Sequence, residues 1–410
     1  MLSLFSAPWV LPVTTPPIEA GWVAVERGRI VSVGAPGTAA HREIAARADR
    51  RRDLDGAVIL PGVINAHTHL ELSWMRGLVP PAPTLPEWVR ELLQRRRAGG
   101  DLPAAMGPAI EELQACGTAV VGDVGNTLAS VDALATSGLA AVVFHEVLGF
   151  NVRHATRVAF EARARASAAT RPPGVTVGLA CHAPYSTSPA LLSAVHDEAM
   201  RAALPLSVHL GESAEEREFL ATGRGAWRTL LEDLGAWEPA WTPPACGPVD
   251  YLDRLGFLTP GVVAVHGVQL DAGELARLAE RGVSLVTCPR SNAWTGVGAP
   301  PISAMYASGV AVAVGTDSLA SAPDLNLFGE LAALRRAAPG VPARALIRSA
   351  TLGGAVALGC ADAFGSLEPG KRAALIAIAL AGADRTAADV EEAIVSGVAP
   401  DRISRLETDS

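Results

Sequence analysis

The stretch AVILPGVINAHTH (57–69) sets the fold: an apolar, β-branched run broken at Pro61-Gly62 that leads into two histidines one residue apart. Short runs of Val, Ile and Ala bounded by turn residues read as strands. A run apolar at every position, not at alternate ones, is the pattern of a strand covered on both faces. Seven further runs of this kind follow: TAVVGDV (118–124), LAAVVFHEVL (139–148), VTVGLACHA (175–183), LPLSVHLGE (204–212), VVAVHGVQL (262–270), VSLVTCPRS (283–291) and VAVAVGTDS (310–318). Between them lie segments of helical composition, such as LPEWVRELLQRRRAG (85–99), PALLSAVHDEAMRAAL (189–204), DAGELARLAERG (271–282) and LNLFGELAALRRAA (325–338), two of which end at glycine as helices commonly do. Repeated βα units leave a closed parallel barrel or an open doubly wound sheet. Polar groups at the end of strand after strand favour the barrel, because an open sheet gathers them at one switch point. Residues 57–365 therefore read as a TIM-like (β/α)8 barrel.

Outward from the barrel, residues 1–56 hold WVAVERGRIVSVG (22–34), two short strands around an ERGR turn, and the tail holds GSLEPGKRAALIAIAL (365–380), strand-like after a Pro-Gly turn. The two ends, 1–56 and 366–410, are expected to pair into one small β-sandwich domain. A barrel of about 250 residues with such a domain accounts for the chain of 410. Hydrophobic residues make up 49% and charged residues 19%, the balance of a globular enzyme. A net charge of -8 excludes the basic footprint of a nucleic-acid polymer binder.

The N-terminus lacks a basic region and its apolar run is interrupted by prolines, so it is not read as a signal peptide. No apolar run is long enough to cross a bilayer. The five cysteines, Cys116, Cys181, Cys246, Cys288 and Cys360, are scattered and form no CxxC pair, which fits a reducing cytoplasm. The partners expected are a small-molecule substrate and, at most, a second copy in a homodimer.

Strand side chains alternate with period two, so His67 and His69 share a face at the end of the first run. His209 closes the fifth run, His266 the sixth and Asp317 the eighth, and in a barrel these ends converge on one rim. One such histidine alone is more often structural. The group together reads as a metal site, and three nitrogens with one oxygen suit a single Zn²⁺ or Fe²⁺. Glu212, three residues past His209, is placed to exchange protons with a water at that ion. Its neighbours Glu215, Glu216 and Glu218 read as solvated loop carboxylates.

With these motifs on the page, the chain resembles the amidohydrolase superfamily, in its branch of aminohydrolases and chlorohydrolases. The resemblance runs in order through ERGRIVSVG (26–34), PGVINAHTHLE (61–71), VHLGES (208–213), VHGVQL (265–270), VTCPRSN (286–292), VGTDSLAS (314–321) and GSLEPGKRA (365–373). It implies that His67, His69, His209 and Asp317 hold one metal, Zn or Fe, that Glu212 shuttles protons, and that His266 orients water or substrate. No lysine follows the fourth strand to bridge two metals, which accords with a mononuclear centre. Ala373-Ala374-Leu375 departs from the family's usual Ala-Asp-Leu, which puts the completeness of the β-domain in question.

The activity implied is hydrolytic deamination of an aminated purine-type nucleoside with release of ammonia. HTHLELS (67–73), FHEVLG (144–149) and the Trp-rich insert at about 223–250 resemble the group of this family that deaminates 6-amino-6-deoxyfutalosine in menaquinone biosynthesis, more than its guanine or S-adenosylhomocysteine deaminases, and the resemblance implies that substrate. A chlorohydrolase, another deaminase or a cyclic amide hydrolase on the same scaffold is the second reading, and a silent binding protein a remote third. His182 in CHAPYSTS is expected to face the substrate, Trp74 to cover a flat ring and Glu71 to bind the loop. Arg76, Arg153 and Arg290 are the candidate partners for the benzoate of such a substrate. The insert is expected to cover the barrel mouth, bringing Trp227, Trp237 or Trp241 to the wall of a pocket.

Overall fold

The computed structural model describes residues 1–169, 173–380 and 386–407. Residues 381–385 and 408–410 of the tail assigned above to the β-domain lie outside the described residues. Eight parallel strands pair in chain order: β1 (Val63–Thr68), β2 (Thr118–Gly125), β3 (Ala140–Val147), β4 (Val175–Cys181), β5 (Leu206–Leu210), β6 (Val262–His266), β7 (Ser284–Thr287) and β8 (Ala311–Val314). Helices on the connections cover the outer face. The sheet closes where the chain leaving β8 returns to β1. There the Asp317 N–H donates to the His67 carbonyl at 3.0 Å. The Asn65 side chain accepts from the Thr316 N–H at 3.1 Å and donates to Thr316 Oγ1 at 2.8 Å. Gly315 permits this approach, since a Cβ there would lie 2.7 Å from that of His67. The architecture is the (β/α)8 barrel.

Most of the observed strands are shorter at their C-terminal ends than the apolar runs in the sequence. The run 262–270 is strand only to His266, and 310–318 only to Val314. The residues beyond stay buried beneath covering loops, so apolar character continues after the ladder stops and does not mark its end.

Inside the barrel, Ile64, Ala66, Val120, Val142, Phe144, Val263, Val265 and Ala313 pack with Leu352, Ala355 and Leu358. The turn carrying these last three presses on the strand beginnings, with Gly354 against Ile64 and Gly353 against the Val312 carbonyl. The barrel is therefore plugged at that end and open at the other. Two strands break the in-out alternation at the open end. In β1 the register against β2 shifts between Asn65 and Thr68, and His67 faces the centre although Ala66 does too. In β6, Val265 is interior and so is His266, which takes a left-handed backbone with φ 79°. Simple alternation gives the correct destination for the histidines of β1 by a route that the strand does not follow.

Both chain ends form a sandwich. One sheet holds Arg29–Gly34, Trp22–Glu26, Leu2–Ser6 and Arg50–Asp53; the other holds Ile403–Arg405, Leu375–Ala379, Ala57–Pro61, Trp9–Val10 and Ile18–Glu19. Phe5, Val23, Val25 and Ile30 of the first pack on Val10, Ile59, Leu375 and Ala377 of the second. Two boundaries read from the sequence are corrected. Ala57–Pro61 is a sandwich strand, because it pairs with Leu375–Ala379 and Trp9–Val10, and the barrel begins after Gly62. Helix Ala387–Val395 of the tail packs on barrel helices Leu327–Ala337 and Ala343–Arg348, with Arg335 and Glu392 paired at 3.0 Å. Ala373-Ala374-Leu375 notwithstanding, the strand from Leu375 forms in full.

The closing seam gives a first prediction. Asn65→Leu leaves the fully buried Thr316 N–H and hydroxyl without the Asn65 amide, so the free energy of unfolding should fall by about 1–3 kcal/mol in urea titrations. An unchanged midpoint would assign closure to the remaining backbone bond.

Candidate active site

The open end of the barrel gathers the histidines that the strands deliver. His67, His69 and His209 place ligand atoms within 4.8 Å of one another, and so do His67, His266 and Asp317. Asp317 Oδ1 lies 3.7 Å from His67 Nε2 and 3.6 Å from His69 Nε2. His209, His266 and Asp317 are oriented from behind. His209 Nδ1 sits 2.7 Å from the His182 carbonyl, an acceptor, so Nδ1 carries the proton and Nε2 keeps its lone pair. His266 Nδ1 is 2.9 Å from Asn292 Oδ1, which fixes its tautomer in the same way. Asp317 Oδ2 accepts from Ser291 at 2.6 Å and Oδ1 from the Ser318 N–H at 2.7 Å. Like His266, Asp317 has a left-handed backbone, φ 61°, a costly conformation for a side-chain-bearing residue.

Electrostatics agree with a cation site. Burial and neighbouring imidazoles push His67 well below its usual value and His209 down to about 3, so both are neutral donors. Burial works to raise Asp317, but His69, His67 and His266 with the Ser291 hydroxyl hold it below the usual carboxylate range. His67 Nε2 is buried with no hydrogen-bond partner. A lone pair so placed, beside an anionic carboxylate and further neutral imidazoles, fits a divalent ion.

Glu212 follows β5 and is buried, its Oε1 3.5 Å from His266 Nε2. Burial and the Asp317 charge push it up to about 8, against a hydrogen bond from Tyr185. Its backbone is fixed by Glu216, whose carboxylate accepts from the Gly211 and Glu212 N–H groups at 3.1 and 2.9 Å. The reading of Glu216 as a solvated loop carboxylate is corrected: the residue is 0% exposed. The signal for this was its place at the start of helix Ala214–Thr222, where it turns back on the approaching chain.

Above these groups lies a mostly apolar cavity of about 260 Å³. Leu85, Trp88, Val89, Leu92 and Leu93 of helix Leu85–Ala98 form one wall. Trp227, Leu230 and Leu231 of helix Ala226–Asp233 form another, and Arg90 and Asp233 tie the two helices at 2.6 Å. Trp227 is buried and stacks on Tyr185 at 3.8 Å between centroids. The insert read from the sequence as one long irregular loop thus opens with a helix, and its longest irregular stretch is residues 234–247. Trp237 and Trp241 stand behind the lining, in a cluster with Phe150 and Phe219.

The remaining sequence candidates separate. His182 lines the cavity, with Nδ1 2.6 Å from Ser186 Oγ. Glu71 lines it too, while its carboxylate binds the Asn126 N–H at 3.0 Å and the Thr127 N–H at 2.9 Å. Trp74 is corrected: the chain turns through a 3-10 helix after His69, which points Leu72 at the cavity and lays Trp74 on Gly100. Three arginines are corrected as well. Arg290 is committed to Glu330 at 2.5 Å and Asp324 at 2.9 Å, Arg76 is paired with Glu112, and Arg153 is exposed and outside the lining. Tyr185, Trp88, Glu146 and Arg96 line the cavity and escaped the sequence reading. Glu146 at the end of β3 had the same strand-end signal as His209; the other three had none.

Residues 58–404 match the amidohydrolase family. The chain belongs to the amidohydrolase family. It is 34% identical over 382 residues to a 5-methylthioadenosine/S-adenosylhomocysteine deaminase of Syntrophobacter fumaroxidans, covering 88% of this chain and 80% of that one. It is 36% identical over 312 residues to an aminodeoxyfutalosine deaminase of Deinococcus radiodurans, 73% of each. Among solved structures it is similar to an adenosine deaminase from Xanthomonas campestris with bound zinc, at TM-score 0.78 and 28% identity, over 98% of this chain and 90% of that one. As an amidohydrolase with deaminase relatives, the chain is a hydrolase of carbon–nitrogen bonds other than peptide bonds. Among the described residues no helix is long and apolar enough to cross a membrane.

Glu216→Gln sets an amide N–H or a single oxygen against two backbone N–H donors, so one buried donor loses its acceptor. The expected loss of stability is about 1–3 kcal/mol by chemical denaturation. Wild-type stability would mean that the Glu212 loop is held by other contacts.

Proposed function

We propose that the chain is a mononuclear metal-dependent deaminase of adenine-type nucleosides bearing an enlarged 5′ substituent, with 6-amino-6-deoxyfutalosine as the leading substrate. The observation that carries this is the convergence of His67, His69, His209 and Asp317 beside Glu212 and His266 on the floor of an apolar cavity. The two deaminase relatives support the reaction class. They also leave methylthioadenosine and S-adenosylhomocysteine as the second reading of the substrate.

In this reading His67, His69, His209 and Asp317 would hold one Zn²⁺ or Fe²⁺, with zinc favoured by a donor set of three imidazoles and one carboxylate. When bound, the ion supplies Lewis acidity that brings the pKa of water to about 7. Glu212 takes the proton of the attacking water and delivers it to the ring nitrogen next to the amine-bearing carbon. His266, its Nδ1 proton given to Asn292, faces the reacting carbon with Nε2. The water oxygen bonds to that carbon, and Glu212 then takes the second proton from the new hydroxyl and hands it to the amine. The C–N bond breaks, and ammonia leaves while the oxygen stays as the ring carbonyl. A Glu212 carboxyl pushed up to about 8 is matched to both steps near neutral pH. Tyr185 and Trp227 exclude water from one side of the ring.

Elemental analysis of the purified protein should find about one equivalent of zinc or iron per chain, falling sharply in His209→Ala and Asp317→Ala. Two equivalents would overturn the mononuclear reading. Glu212→Gln keeps the shape of the side chain and loses its proton exchange. Metal content should persist while ammonia release falls at least about 100-fold. Turnover near wild type would remove Glu212 from the mechanism. Trp227→Ala should raise KM for the true substrate by about 10-fold or more with metal retained; unchanged kinetics would make the Trp227 wall structural only.

A further inference from the structure

The cavity that holds the site carries one feature the deamination chemistry does not use. Arg96, in the last turn of helix Leu85–Ala98, lines the cavity on the same helical face as Trp88, Val89, Leu92 and Leu93. Among the described residues it is the only Lys or Arg in that lining. Its guanidinium donates to Asn126 Oδ1 at 3.0 Å, and no carboxylate of the described residues lies within 4.0 Å of it. In contrast, its helix neighbours Arg90 and Arg95 pair with Asp233 and Glu91 at 2.6 Å.

The lining carboxylates are engaged elsewhere. Glu71 holds the Asn126–Thr127 backbone, Glu146 Oε2 accepts from Asn126 Nδ2 at 2.9 Å while its Oε1 turns to His209 at 3.8 Å with no hydrogen-bond partner among the described residues, Glu212 meets Tyr185, and Asp317 is held by Ser291 and Ser318. The guanidinium has further donors in a planar fork that matches a carboxylate. Arg96 reaches the candidate ligand His209 only through a chain of contacts: it bonds Asn126, Asn126 bonds Glu146, and Glu146 Oε1 lies 3.8 Å from His209 Nδ1. An anion on Arg96 therefore belongs to a substituent of the substrate and not to the ring being deaminated. Leu148 and Leu234, lining the same cavity, are 53% and 42% exposed, which gives such a substituent an apolar surface to cover.

The geometry points to Arg96 as the residue that selects a carboxylate carried at the end of an apolar 5′ substituent of the nucleoside. This rests on the deaminase reading above. The cavity then reads three parts of one molecule: the ring at the His and Asp floor, an apolar body along the Leu-rich helices, and an anion at Arg96. Uncharged 5′-methylthioadenosine satisfies the first two parts only.

The test measures kcat/KM for ammonia release from 6-amino-6-deoxyfutalosine, S-adenosylhomocysteine and 5′-methylthioadenosine in the metal-loaded wild type and in Arg96→Met and Arg96→Lys. The wild type should prefer the aryl carboxylate. In Arg96→Met the ratio of kcat/KM for that substrate to that for methylthioadenosine should fall about 10- to 100-fold, chiefly through KM, with part of it restored in Arg96→Lys. Raising the salt concentration should weaken wild-type binding of the carboxylate substrate and leave Arg96→Met less affected. An unchanged ratio, whether both substrates weaken together or neither does, overturns the assignment of Arg96. So does a wild type that prefers methylthioadenosine. Failure of the metal-loaded wild type to release ammonia from any of the three would overturn the deaminase reading itself, and the inference with it.

Discussion

The bond on which the rest depends is the one from the Asp317 N–H to the His67 carbonyl. It closes an eight-stranded sheet on itself, and it joins the backbones of two residues of the candidate site whose side chains lie 3.7 Å apart. Barrel closure and site assembly are thus a single structural event. Asn65 and Gly315 serve the same seam, one by bonding Thr316 and the other by presenting no side chain against His67. The left-handed backbones of His266 and Asp317 serve the same rim: His266 ends β6 by turning inward beside the interior Val265, where continued alternation would send it out, and Asp317 lies in the segment that follows β8. Strain of this kind persists only where the surroundings over-determine it, and here the barrel does so.

Around that seam the chain buries an unusual density of ionisable groups. His67, His209 and His266 are neutral by burial, Asp317 is kept anionic by its hydrogen bonds and neighbours, and burial with the Asp317 charge pushes Glu212 up to about 8. Three carboxylates near one another have three different duties because their surroundings differ: Asp317 sits under hydroxyl and N–H donors, Glu212 under Tyr185, and Glu216 over two backbone donors. Burial without such partners would be prohibitively unfavourable for each.

Much of this was legible in the sequence. The barrel, the sandwich of the two chain ends and the convergence of His67, His69, His209 and Asp317 follow from the order of apolar runs and from what stands at their ends. What was hidden depended on partners remote in sequence. Glu216 looks like its exposed neighbours until the backbone of Gly211 turns toward it. Tyr185 becomes part of the wall only because Trp227, 42 positions on, lies flat against it. Arg290 and Arg96 are indistinguishable as letters, yet Glu330 consumes one and no carboxylate of the described residues pairs with the other. The boundary at residue 57 misled because Ala57–Pro61 and Val63–Thr68 are equally apolar and separated by one glycine, although they serve different sheets.

That single-glycine junction bears on how the chain is made. The strand Ala57–Pro61 finds its antiparallel neighbour in Leu375–Ala379, more than 300 residues later. During synthesis the segment that leads directly into His67 leaves the ribosome early and waits for nearly the whole polypeptide before its edge is covered. An apolar strand with Trp9–Val10 on one side and its other edge open for that interval is a template for aggregation or for chaperone capture. The charged run Arg50–Asp53, Arg-Arg-Arg-Asp, stands just upstream of it and remains exposed in the folded chain. Such a solvated flank acts as a gatekeeper for the nascent strand, which gives this stretch a use in the life of the protein before any site exists.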